Sequence, residues 1–183
     1  MAEAIPTLHL VIEIVKRTDG GAVLRCTRAD GSVSWQSQQG KQATFFPLHD
    51  LTHYAVESVL GTSLAFFGLI AAGWEIDDTT GTGAHGALPD EAMFVERVVG
   101  MLDVERGTGS RWDADAFQRE IVAAEPRLAA LAERLLTTGL MDEIRLRRAN
   151  LFDRWFALAP GDALTLHFPA STSPRAHATG ERR

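Results

Sequence analysis

Two histidines four residues apart, with an aspartate directly after the first, make His49-Asp50-Leu51-Thr52-His53 the most specific chemical signal in the chain, and Glu57 follows at the same spacing. On a helix each residue advances about 100°, so His49, His53 and Glu57 fall within an arc of about 80° and share one face. Histidines at i and i+4 can hold one metal ion, as in the HExxH pattern of zinc enzymes, where the intervening glutamate activates a water. Asp50 occupies the place of that glutamate, one methylene shorter.

Residues eight apart lie about 12 Å apart along a helix axis, so His49 and Glu57 do not reach a single ion together. Two divisions of labour remain. Either His49 and His53 bind while Glu57 steers a ring, or His53 and Glu57 bind with His49 as the acid/base group. The metal candidates are therefore His49, His53 and Glu57, and the candidates for moving a proton are Asp50 and Glu57. Another element must complete the shell, and Glu75, Asp77, Asp78 and His85 are the nearest candidates in sequence.

If the helix is continuous, the same arc reaches Leu60, Leu64, Phe67 and Ala71, which are apolar or small. The trio then faces a buried space, where polar groups must be hydrogen-bonded, paired or metal-bound. The plainer reading makes His49 and Asp50 a helix start and His53 and Glu57 a supporting pair, worth about 0.2–0.5 kcal/mol when exposed.

HDLTH is similar to the HDxxH motif of a family of ubiquinone-biosynthesis proteins, whose pattern implies a metal held by these residues and a more distant glutamate. That glutamate follows the second histidine by twelve positions, where this chain has Ala65, so Glu57 would have to stand in for it. HDLTH also resembles a zincin helix with Asp in the Glu position, and no third-ligand pattern follows it. The resemblance covers five residues of the 183.

The elements that must position these groups are legible as changes of period. In residues 7 to 16, Leu8, Leu10, Ile12 and Ile14 alternate on one face, and two glycine-containing turns lead to AVLRCTR and SVSWQSQ. Three short alternating runs joined by tight turns predict an antiparallel β-meander. Gln36 to Thr44 reads as a polar connection. Pro47 suits the first turn of a helix, and Gly61-Thr62-Ser63 marks a break before the apolar run 63 to 73, read as a buried core helix.

Further helices are predicted from Pro89 to about Val104, from near Asp113 with Pro126 interrupting, and from about Leu140 to Leu158. ALTLHF then alternates as a strand that returns to the sheet, with His9 and His167 outward. The fold class expected is α+β, a meander packed with about four or five helices. Residues 1–170 form a single domain in this reading, and 171–183 a disordered tail in which His177 has no role.

Composition narrows the function classes. The 18 basic and 24 acidic residues give a net charge of −6, against general nucleic-acid binding. The one dense basic patch, Arg145, Arg147 and Arg148, reads as a salt-bridged helix face. Cys26 is the single cysteine, which excludes an internal disulfide and an all-cysteine zinc site. No signal segment is evident and no apolar run reaches the roughly 20 residues of a membrane span, so a cytoplasmic protein is expected. The tryptophans read as core, GTGAHG lacks the context of a phosphate loop, and Glu75, Asp77 and Asp78 read as a solvated loop.

These features together suggest a metal-dependent enzyme, most simply a hydrolase, acting on a small-molecule substrate. Zinc is favoured, with iron or manganese compatible. The alternative is a non-catalytic binding or homo-oligomerisation domain whose buried His/Glu group is structural.

Overall fold

The computed structural model describes residues 8–40, 43–81 and 85–170. Strands β1 (Leu8–Lys16), β2 (Ala22–Thr27) and β3 (Val33–Gln38) form the meander, and β4 (Ala163–Ala170) returns beside β1. The order is β3-β2-β1-β4, antiparallel throughout. Period-two alternation sets the register: Ile12 stands opposite Cys26 on one side and Leu166 on the other. Leu10, Ile12, Ile14, Leu24, Cys26, Leu164, Leu166 and Phe168 all turn to the core, while His9 and His167 face outward.

Edge strand β3 departs from this pattern. Its inward residues are polar, with Ser34 and Gln38 buried, and its outward residues are Val33 and Trp35. The expectation that the tryptophans are core therefore fails at Trp35, which is 65% exposed; Trp155 is buried, and Trp74 and Trp112 are half-buried. The inward polar side chains are tolerated because they have partners: Ser34 Oγ accepts from the Ile76 amide and Gln38 donates to Asp50.

Among the described residues there are six α-helices: α1 (Phe46–Leu60), α2 (Phe66–Ala71), α3 (Asp90–Thr108), α4 (Ala114–Ala124), α5 (Ala129–Leu135) and α6 (Thr138–Ala157). One apolar cluster joins the sheet to α1, α2 and the C-terminal half of α6; the other joins α3, α4 and α5 to α1 and the N-terminal half of α6. Helices α1 and α6 belong to both, so α1 runs between the two halves of the core. None of the helices is long and apolar enough to cross a membrane, among the described residues. The segment 171–183, with His177, lies outside the described residues.

The helix carrying the motif does not continue past residue 60. Gly61 adopts φ 66°, and the amides of Gly61 and Thr62 both return to the Glu57 carbonyl. Such a left-handed residue ends a helix, and glycine takes it without a Cβ penalty. The arc through Leu60, Leu64, Phe67 and Ala71 is thus broken, and Leu64 is exposed. His53 and Glu57 are buried nonetheless, because α2 folds back and lays Phe66 and Phe67 near them.

Candidate metal centre and its cleft

The histidines and carboxylates of HDLTHYAVE all sit on α1, and each meets a partner from another element. His49 Nδ1 lies 2.7 Å from Asp103 Oδ2 on α3. With Nδ1 facing a carboxylate, the neutral ring carries its proton there and keeps a lone pair on Nε2. His53 has a similar arrangement: Nδ1 faces Glu57 Oε1 at 3.3 Å, off the line of a good hydrogen bond, and Nε2 faces Glu96 Oε1 at 3.3 Å. The two imidazoles meet edge to face with centroids 4.8 Å apart.

Helices α1 and α3 run antiparallel through this contact, since His49 meets Asp103 and His53 meets Glu96. Glu96 and Asp103 are seven apart, two helical turns, and so share a face of α3. His49, His53 and Glu96 bring one ligand atom each to within 4.8 Å of one another, close enough to hold a metal ion.

Glu57, expected as metal ligand and proton carrier, is not in that group. Its carboxylate accepts from the Phe67 amide at 3.0 Å and the Gly68 amide at 3.3 Å, two of the unpaired donors at the start of α2. Its place is behind His53. Of the residues expected to complete the shell, Glu75 pairs with Arg28, Asp77 is exposed, and Asp78 and His85 lie 3.7 Å apart with His85 stacked on Trp74. Glu96 comes instead from α3. The signal that could have found it was the Glu96/Asp103 pair on one face of a helix otherwise rich in buried valines.

Asp50 is buried, and its Oδ2 accepts from Gln38 Nε2 at 2.6 Å. Burial pushes its carboxyl up to about 6, against the opposing pull of Gln38 and the histidines. For His53 burial works against the charged form, but the carboxylates of Glu57, Glu96 and Asp50 outweigh it and hold the ring above its usual range. Burial also raises Glu57. Cys26, on the inward face of β2, has its thiol pushed far up by burial and is inert.

These groups open on a cleft of about 390 Å³, whose lining includes Gln36, Phe46, His49, Asp50, His53, Phe66, Ile76, Thr79, Thr80, Leu88 and Glu96. The chain matches no protein-family model, and no curated protein or solved structure is significantly similar to it. Function must therefore be argued from the site. The basic patch is engaged in packing: Arg145 bridges Glu105, Arg147 reaches Ser58 and Glu143, and Arg148 donates to the Leu102 carbonyl.

Proposed function

We propose that this protein is a metal-dependent enzyme acting on a small molecule in the cleft, with hydrolysis as its reaction. The observation that carries this reading is the orientation of the imidazoles. Each turns Nδ1 toward a carboxylate of its own, Asp103 for His49 and Glu57 for His53, and both rings lie with Glu96 close enough to hold one ion. Carboxylate-backed histidines with a third ligand from a facing helix are the usual construction of a metal centre. A divalent ion bound there supplies Lewis acidity toward a carbonyl or a water.

The protein's own groups divide the remaining work. Asp50 lines the same cleft, and the Gln38 amide fixes its carboxyl. In hydrolysis it takes a proton as water oxygen bonds to the substrate carbonyl carbon, then returns that proton to the leaving group. Glu57 acts as a positioning residue, holding His53 while it caps α2. A purely structural role would leave every ring nitrogen satisfied and no space beside His53. The open cleft beside His53 favours the catalytic reading.

The deciding experiment is metal content by plasma mass spectrometry on protein purified without chelator. About one equivalent of zinc, iron or manganese is expected in the parent, with little in His53→Ala or Glu96→Gln. Glu96 is 44% exposed in its side chain, so its variant separates ligand loss from misfolding. Parent protein that stays metal-free after dialysis against each ion overturns the reading.

A further inference from the structure

From the walls of the cleft we infer that the site takes an uncharged small molecule with a single metal-binding polar head and an apolar body, and excludes ligands with a second negative charge; this rests on the metal reading above. Among the described residues that line the cleft there is no lysine or arginine. Its charged groups are acidic: Glu96 is a ligand and Asp50 lies beside it. A divalent cation offset by these two carboxylates leaves a centre without net positive charge. Among the described lining residues nothing then compensates an anionic group on the ligand away from the metal, and desolvating such a group beside Asp50 is unfavourable.

The other walls supply apolar surface. Phe66 stands with its ring centroid 5.0 Å from that of His53, and the Phe46 centroid lies 6.1 Å from that of His49. Ile76 and Leu88 extend the same lining. The polar lining away from the metal is neutral: Thr79 Oγ1 donates to the Ile76 carbonyl, Thr80 Oγ1 to the Asp77 carbonyl, and Gln36 is an amide. A head group at the metal thus places its substituent against two phenylalanines and two aliphatic side chains. An ester, amide or lactone of an apolar acid has this form; a sugar phosphate or a dicarboxylate does not.

The test uses zinc-loaded protein and three chelating probes in calorimetric titrations at neutral pH: acetohydroxamate, benzohydroxamate and para-carboxybenzohydroxamate. Benzohydroxamate is expected to bind at least about tenfold tighter than acetohydroxamate, from burial of its ring, and at least about tenfold tighter than the carboxylated probe. Phe66→Ala is expected to lower the first ratio to about threefold or less at unchanged zinc stoichiometry. If Phe66→Ala does not fold, Leu88→Ala, at another apolar residue of the lining, gives the same readout. Equal binding of the methyl and phenyl probes, equal binding of the carboxylated probe, or a preference untouched by the variant overturns the inference. A prior titration with zinc alone separates the two failures: protein that binds no zinc refutes the metal reading and this inference with it, whereas zinc-bound protein without the probe preferences refutes only the inference.

Discussion

Asp50 and His53 line the same cleft, and burial acts on them in opposite senses. It holds the Asp50 carboxyl protonated up to about pH 6, while for His53 the surrounding carboxylates prevail over burial. For Asp50 the folded-state value lies above the roughly 3.9 of an unfolded aspartate, so its contribution to stability is complete below about pH 4 and lost as pH rises through about 6. In metal-free protein, urea unfolding is expected to show the parent losing about 3 kcal/mol relative to Asp50→Asn between pH 4 and pH 7. A pH-independent difference between the two would contradict it. Asp103 touches His49 and lies outside the candidate ligand group, so in the proposed centre Asp103→Asn should weaken zinc binding about 10- to 100-fold. Unchanged circular dichroism alongside that loss would identify a positioning role, and full zinc affinity would remove it.

At the scale of elements, the turn between α1 and α2 is what buries the site, and Glu57 holds it from both ends. Its carbonyl receives the Gly61 and Thr62 amides that close α1, and its carboxylate receives the Phe67 and Gly68 amides that open α2. Glu91 on α3 adds a second clamp, accepting from the Ser63 and Leu64 amides. Glu57→Ala leaves two buried donors unpaired and is expected to cost about 2–4 kcal/mol. Gly68→Ala should cost more than about 2 kcal/mol, because its Cβ would collide with the Ser63 carbonyl in the same turn. Gly100 makes the comparison sharp: it lies in α3, where an added Cβ would meet nothing within 4 Å, and Gly100→Ala should stabilise by up to about 1 kcal/mol. Urea midpoints of the three variants check this order.

For the molecule as a whole, an ion on His49, His53 and Glu96 ties α1 to α3, and so joins the helix that runs through the core to its helical layer. Any ligand that binds only the folded state stabilises it, by about 2.7 kcal/mol at a hundredfold excess over Kd. Zinc is therefore expected to raise the melting temperature at neutral pH, and chelator to reverse the rise. The increment should shrink on acidification, because the imidazoles must shed protons to bind. Since His53 is held above the ordinary histidine range, the loss should begin above pH 6.5. The parent compared with Glu96→Gln, scanned by calorimetry with and without zinc, tests this, and an equal increment in both would place the ion elsewhere.

The sequence by itself determined the α+β class, the meander and the inward face of its first strand, because period-two alternation of Leu10, Ile12 and Ile14 admits one inward face. It also determined that His49 and His53 share a helix face, since helical spacing is a local property. What lay opposite that face was decided only by the tertiary structure. Glu96 and Asp103 stand on a helix remote in sequence, and nothing local tells which helix will pack against α1. The same holds for Glu57: its spacing marked it as a ligand, but the turn at Gly61 brought two backbone amides to its carboxylate, and the stronger local need for acceptors at the start of α2 fixed its role. Spacing along the chain determined which groups could act together, and helix packing decided which of them come within reach of one another.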